Sequence, residues 1–183
     1  MLVRPGALLT KRAPTTGASA PVYATWIDLV NLIAENNGVA RTAATADDSV
    51  GVTSESFTDG GGIQWTYDWT VDSFSSTIYL MVDGADPLVG FPNNVNIQFG
   101  MQLLNTNRVK FYWRSNLRFD ITDAVAGETF ALREQDGAIE GLRNGAVVYT
   151  YPEAPHATMQ GRASIVIQNT AMPNIELLGG VWS

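Results

Sequence analysis

Residues 129–151, TFALREQDGAIEGLRNGAVVYTY, hold two hairpin signals in succession, Asp136-Gly137 and Asn144-Gly145. A two-residue Asp-Gly or Asn-Gly turn needs positive φ at both positions, and its twist matches that of the strands it joins. Such turns placed this close together commit the chain to a three-stranded antiparallel meander, Thr129–Gln135, Ala138–Arg143 and Ala146–Tyr151. The turn chemistry also sets the register. Arg133 falls opposite Glu140, a cross-strand ion pair worth a few tenths of a kcal/mol. Phe130, Leu132, Ile139 and Val148 then share one face, the inner one. Asp136 beside Glu134 would otherwise suggest a catalytic carboxylate pair, but the turn accounts for Asp136.

The same extended geometry runs through the rest of the chain. Ile63, Trp65, Tyr67, Trp69 and Val71 alternate with Gln64, Thr66, Asp68 and Thr70, and Val95, Ile97, Phe99, Met101 and Leu103 alternate with Asn96, Gln98, Gly100 and Gln102. Period-two alternation marks strands with one face on a core and the other toward solvent. Further strands are predicted over Val22–Ile33, Thr77–Asp83, Arg108–Arg114, Ala163–Gln168 and Asn174–Leu178. Helical periodicity is scarce, and 17 Gly with 8 Pro supply the many turns such a chain needs. At 183 residues the chain can bury a core without disulfides, and 45 % apolar residues exclude disorder. The fold class is all-β, a two-sheet antiparallel jelly-roll sandwich over residues 22–183, preceded by an extended arm over residues 1–21.

A family resemblance rests on these residues. The run from Gly127-Glu128-Thr129-Phe130 through Arg133, Asp136-Gly137-Ala138-Ile139 and Arg143-Asn144-Gly145 to Val148-Tyr149-Thr150 resembles the closing half of concanavalin A-like jelly-roll domains. Trp26 with Asp28-Leu29-Val30-Asn31, then Gly38-Val39-Ala40-Arg41-Thr42, is similar to their opening strands, and Phe99-Gly100-Met101 to an apolar-Gly-Leu step. The similarity extends from Val22 to Trp182. It implies two antiparallel sheets packed face to face. Lectins, glycosidases and structural modules all use this fold, so it leaves function open.

Composition narrows the chemistry. The absence of Cys excludes thiolate catalysis and Cys-ligated metal, and a single His, His156, excludes a multi-His centre within one chain. His156 lies in the loop Pro152-Glu153-Ala154-Pro155-His156, with no nucleophile or carboxylate positioned by the sequence. The laminarinase-like branch of the family uses E-x-D-x-x-E on a strand to project two carboxylates. The nearest string here, Glu134-Gln135-Asp136, enters a tight turn with no third acid at the required offset. No catalytic residue, metal ligand or cofactor is therefore assigned, and the chain reads as a non-enzyme. The polar loop residues Asp83, Asp86, Asn93 and Asn94 are candidate contacts for a glycan, calcium or a partner, and Trp182 for a sugar or a neighbouring subunit. Trp65 and Trp69 lie on the apolar side of their strand and belong to the core. Arg108, Lys110, Tyr112 and Arg114 share one face of a strand, against Val109, Phe111 and Trp113 on the other, with Asp68 and Asp72 as expected acid partners. An acidic chain with pI near 4.5 repels a phosphate backbone, so nucleic acid is not a partner.

Charge is segregated along the chain. Residues 1–20 carry Arg4, Lys11 and Arg12 and no acid, whereas the remainder has a net charge of −10. Leu2, Val3, Leu8 and Leu9 make the same segment apolar, and Pro5, Pro14 and Pro21 favour an extended path. Twenty extended residues reach roughly 65–70 Å, enough to cross a neighbouring subunit. No run approaches the roughly 20 apolar residues of a membrane span, and Arg4, Pro5 and Gly6 interrupt any signal-peptide core. Together these features predict a virion structural protein made in the host cytoplasm, above all a bacteriophage capsid decoration (cement) protein. Its arm residues Leu2, Val3, Arg4, Leu8, Leu9, Lys11 and Arg12 would dock on capsid or tail proteins or on copies of itself. The other reading is a lectin-like carbohydrate-binding module or a tail or fibre component for host-surface attachment.

Overall fold

The computed structural model describes residues 20–41, 49–57, 59–67, 76–82, 97–104, 106–114, 116–155, 158–165 and 171–179. Among them no helix occurs. The strands are β1 Val22–Tyr23, β2 Trp26–Val30, β3 Leu32–Glu35, β4 Gly38–Arg41, β5 Val50–Phe57, β6 Gly62–Thr66, β7 Ser76–Val82 and β8 Ile97–Leu104. They continue with β9 Arg108–Trp113, β10 Asn116–Ile121, β11 Thr129–Gln135, β12 Ala138–Arg143, β13 Ala146–Thr150, β14 Met159–Ile165, β15 Ala171–Met172 and β16 Ile175–Leu178. A six-stranded sheet, β1-β16-β6-β11-β12-β13, faces a seven-stranded sheet, β10-β9-β8-β7-β14-β5-β2, and a small third sheet, β15-β4-β3, completes the molecule. The paired strands described are antiparallel.

The meander forms as its turns require. Asp136 and Asn144 adopt φ of 52° and 51°, with Gly137 at 75° and Gly145 at 77°. Arg133 pairs with Glu140 across β11 and β12, its Nε donating to Glu140 Oε2 at 3.1 Å. Phe130, Leu132 and Ile139 are fully buried, and Val148 packs against them from the edge strand β13. Glu128 secures the second turn. It accepts from Arg143 Nε at 2.9 Å and Nη2 at 2.8 Å, and from Asn144 Nδ2 at 3.1 Å, while Asn144 Oδ1 receives the Thr129 N–H at 3.0 Å.

Between the layers lie the residues that alternation placed there: Ile63, Trp65 and Tyr67 from the first sheet, and Phe99, Met101 and Leu103 from the second. Phe111 on β9 presses its ring onto Gly141 of β12, where an added Cβ would sit 2.8 Å from the ring. Two tyrosines tie the sheets together by hydrogen bonds. Tyr151 donates its hydroxyl to the Gly100 carbonyl at 3.2 Å, and Tyr67 donates to the Leu104 carbonyl. Tyr151 also meets Phe99 edge-on at 5.0 Å between centroids.

Several strand boundaries differ from the sequence reading. The segment expected as one strand, Val22–Ile33, is three. Asp28 and Asn31 take left-handed backbone, φ 47° and 55°, so the register of β2 on β5 skips from Ile27 to Val30 and the chain then leaves for the third sheet. The predicted strand Ala163–Gln168 begins earlier, at Met159. Three strands went unrecognised, β5, β10 and the two-residue β15. In β10 a bulge between Leu117 and Phe119 throws the alternation out of phase. In β5 the core side carries Gly51 and Thr53 while Val50 and Val52 are buried on the opposite face, which reverses the usual contrast. Trp69 and His156 lie outside the described residues, as do all but the last two residues of the arm.

Leu132→Ala is expected to cost roughly 2–5 kcal/mol in denaturant unfolding, because the leucine is fully buried. Gly141→Ala should destabilise by about 1–3 kcal/mol through overpacking against Phe111. Unchanged stability in both variants would mean that this face of the meander is not core.

Candidate binding face

The seven-stranded sheet has a second face, turned away from the core, and the pairing register reads out its side chains. One row across the strands is Asp120, Lys110, Gln102, Thr77 and Ser164. The next is Leu117, Tyr112, Gly100, Tyr79 and Arg162. The middle of this face is polar yet buried. Tyr79, Thr77, Gln98, Gln160, Ser164 and Arg162 are all below a tenth exposed. Arg162 stacks its guanidinium 5.3 Å from the Tyr79 ring centroid, a cation–π contact in a desolvated setting. The bare Cα of Gly100 lets the Tyr79 ring lie across β8, since a Cβ there would fall 2.6 Å from the ring. Burial pushes the Tyr79 hydroxyl up to about 12.

Toward β9 and β10 the face opens. Tyr112 is half-buried and its hydroxyl donates to Gln102 Oε1 at 3.2 Å. Its pKa is raised by burial first and by the nearby Asp120 carboxylate second. Leu117, its cross-strand neighbour, is 49 % exposed. Arg108 forms a two-pronged ion pair with Asp120, which raises the guanidinium pKa through the hydrogen bonds. Lys110 stands between them with no ion pair among the described residues. The expected division of this strand holds for Arg108, Lys110 and Tyr112 outward against Val109, Phe111 and Trp113 inward. Arg114, expected on the outward face, instead follows the end of β9 with left-handed backbone, φ 53°, and leaves the strand's alternation. The acid that meets Arg108 is Asp120 on the unrecognised strand β10, whereas Asp68 and Asp72 lie outside the described residues. Just beyond β9, Arg114 and Arg118 place their guanidinium groups 4.7 and 5.0 Å from the Trp113 ring centroid, and Arg118 pairs with Glu153. Four of the eight basic residues after residue 20 thus fall within 108–118.

The contacts expected from sequence, Asp83, Asp86, Asn93, Asn94 and Trp182, and the arm residues Leu2, Val3, Arg4, Leu8, Leu9, Lys11 and Arg12, lie outside the described residues. No group of three or more metal-ligating side chains comes together among the described residues. Glu134, weighed above as a carboxylate partner of Asp136, follows Phe130 and Leu132 on the inner side of β11. It is 8 % exposed, with Oε2 buried and unpartnered. Asp136 stands in the exposed turn, where its N–H donates to Asp59 Oδ1 at 2.7 Å.

No family model and no curated protein matches the sequence. Among solved structures the chain is similar to a human SPRY domain, at 13 % identity and TM-score 0.54 over 85 % of this chain and 96 % of that one. It is also similar to a Bacillus subtilis protein of unknown function with a galectin-like fold, at 10 % identity and TM-score 0.53 over 85 % and 90 % of the two chains. A native glycosidic hydrolase matches at 10 % identity and TM-score 0.50, over 81 % of this chain and 80 % of the hydrolase. The fold is a concanavalin A-like, galectin-like jelly-roll sandwich.

Burial and the neighbouring Asp59 carboxylate raise the Glu134 pKa above its ordinary 4.5. The folded protein therefore holds this proton more tightly than the unfolded chain, and stability falls as pH rises from 4.5 through the raised value. Glu134→Gln should remove that decline and be more stable than the parent at neutral pH. Denaturant melts of both proteins from about pH 4 to about pH 8 measure it, and parallel curves would show that Glu134 titrates as an ordinary carboxylate.

Proposed function

We propose that the sandwich is a non-catalytic glycan-binding module that engages sugar at the open edge of the outer face. The observation that carries this reading is the grouping of Tyr112 and Leu117 beside Gln102, Lys110 and the Arg108–Asp120 pair. An aromatic ring with an aliphatic neighbour offers an apolar platform to the C–H face of a pyranose. The amide, ammonium and ion-paired groups around it donate to and accept from hydroxyls. Hydrogen bonds from Tyr112 to Gln102 and from Arg108 to Asp120 hold those four side chains in place before ligand arrives, which lowers the ordering cost of binding. The neighbouring acid, Asp120, is committed to Arg108, so this edge offers hydrogen bonds rather than a free carboxylate pair. That arrangement suits recognition better than hydrolysis.

A glycan array followed by titration calorimetry tests the reading. Tyr112→Ala is expected to weaken binding at least about tenfold while far-UV circular dichroism stays unchanged. Capture of no glycan by the parent protein would overturn it. Sustained release of reducing sugar from β-glucans, abolished by Glu134→Gln or Asp136→Asn, would overturn the non-catalytic assignment.

A second reading, a virion structural protein, is favoured by the segregation of charge: +3 in residues 1–20 against −10 in the rest. A capsid decoration protein would use that arm to dock on acidic capsid or tail surfaces, and a tail or fibre component would combine the arm with the glycan face. Deleting residues 1–20 should then abolish incorporation into particles and leave the melting temperature of the monomer nearly unchanged. Full occupancy of the truncated protein on particles would remove the virion reading and leave the glycan reading untouched.

A further inference from the structure

The two edges of the seven-stranded sheet carry opposite charge. After residue 20 the chain has eight basic side chains. Arg108, Arg118, Arg133 and Arg143 are in ion pairs, and Arg41 and Arg162 are buried. Lys110 and Arg114 are left, both half-buried at the β9–β10 edge and without a carboxylate partner among the described residues. No acid lies between Arg108 and Phe119 along the chain.

At the opposite edge the sign is reversed. Asp28 on β2 and Glu35 on β3 are exposed, with no cation partner among the described residues. Glu35 lines one surface depression with Thr25 and Trp26, which places it beside the start of β2. The Glu55 carboxylate adds a third negative charge there, accepting from the Thr25 N–H at 3.1 Å.

The pairing register relates the two edges. The outer-face row that runs from Leu117 through Tyr112, Gly100, Tyr79 and Arg162 continues through Val52 to Ile27. Its terminal residues are both aliphatic and exposed, Leu117 at 49 % and Ile27 at 41 %. Each edge thus presents one apolar side chain on the same face and at the same level, with cations near Leu117 and acids near Ile27. Six inter-strand spacings of about 4.8 Å separate them by roughly 29 Å. The Debye length at about 0.15 M salt is roughly 8 Å, so one edge does not neutralise the other within a molecule. A neighbouring copy can bring them into contact.

We infer that the basic edge at Lys110, Arg114 and Leu117 docks on the acidic edge of a second copy at Ile27, Asp28 and Glu35. The contact is heterologous. Each copy uses one edge and leaves the other free, so association continues head to tail. Register shifts between Leu117 and Phe119 and between Ile27 and Val30 interrupt both edge ladders, so side chains rather than a shared backbone ladder make the contact. A docked copy covers Lys110 and Leu117 and therefore competes with sugar at the platform proposed above. The inference itself does not depend on that reading.

Sedimentation velocity of the full chain at neutral pH, with no glycan present, tests it. At about 50 mM salt the Debye length is roughly 14 Å, longer than a contact and shorter than the distance between the edges. There the weight-average mass is expected to rise with concentration above the 19.8 kDa of the monomer, and to return to it at about 0.5 M salt. Lys110→Glu with Arg114→Glu makes both edges acidic, and Asp28→Lys with Glu35→Lys makes both basic. Each double variant alone should stay monomeric, and an equimolar mixture of the two should associate again. Arg114 and Asp28 have left-handed backbone, φ 53° and 47°. Should reversal there prevent folding, Lys110→Glu and Glu35→Lys singly should each weaken association at least about tenfold. A parent that stays monomeric at every concentration overturns the inference, whatever other acidic ligand Lys110 and Arg114 then hold, and leaves the glycan reading untouched. So does a mixture that fails to associate. Association that survives Lys110→Glu with Arg114→Glu also overturns it, because the cations of residues 1–20 would then be the partners of the acidic edge.

Discussion

The fork of hydrogen bonds between Glu128 and Arg143 is the contact on which the register of the six-stranded sheet turns. Both nitrogens of the guanidinium edge meet the carboxylate, and Asn144 adds a third donor from the turn itself. The Arg143 hydrogen bond holds the Glu128 carboxyl below its usual range, so the contact favours the charged form. Slipping β12 by one residue would break this fork and the Arg133–Glu140 pair together, and would turn Ile139 outward, away from the face that Phe130 and Leu132 of β11 keep. It would also move Gly141 away from Phe111 and disturb the contact between the two layers where that ring meets backbone. Register in one sheet thus sets the distance to the other, and the face of β9 that remains outward follows from Phe111 being held inward.

The meander was legible in the sequence because everything that determines it is local. Asp136-Gly137 and Asn144-Gly145 specify both turns, and alternation between them assigns the inner face without reference to the rest of the chain. The strands that alternation missed are those where burial is two-sided or the period is broken. Val50 and Val52 are apolar and buried but face away from the core, beside a layer of buried polar groups that includes Arg162 and Tyr79. A single sequence encodes which residues are buried, not by which layer. In β10 the bulge at residue 118 puts Leu117 and Phe119 on opposite faces, so neither period fits the whole segment.

The same limit explains the candidate site. Arg108, Lys110 and Tyr112 could be placed on one face of a strand from spacing alone, and the structure keeps them there. Their partners could not. Asp120 is twelve residues from Arg108 along the chain, and its pairing depends on a strand that the pattern concealed. The setting of the Asn36-Asn37 turn was less legible still. Its carbonyls accept from the N–H groups of Asn174 and Ile175, partners too distant along the chain to be read locally.

The concanavalin A-like frame carries recognition domains and hydrolases alike, so it fixes where surfaces lie and leaves their chemistry to substitution. In this chain the centre of the outer face is already occupied energetically. Tyr79, Arg162, Gln160 and Thr77 are buried and desolvated, and a ligand displacing that layer would have to replace its contacts. The edge around Tyr112 meets no such competition, because its polar groups are half-exposed and held by one another rather than by the core. Left-handed residues supply a similar condition elsewhere: the Asn36 and Asn37 carbonyls are satisfied at their turn by Asn174 and Ile175, which leaves both side chains at the surface. Binding chemistry in this fold therefore belongs where regular pairing ends, since side chains there are positioned by the sheet without being consumed by it.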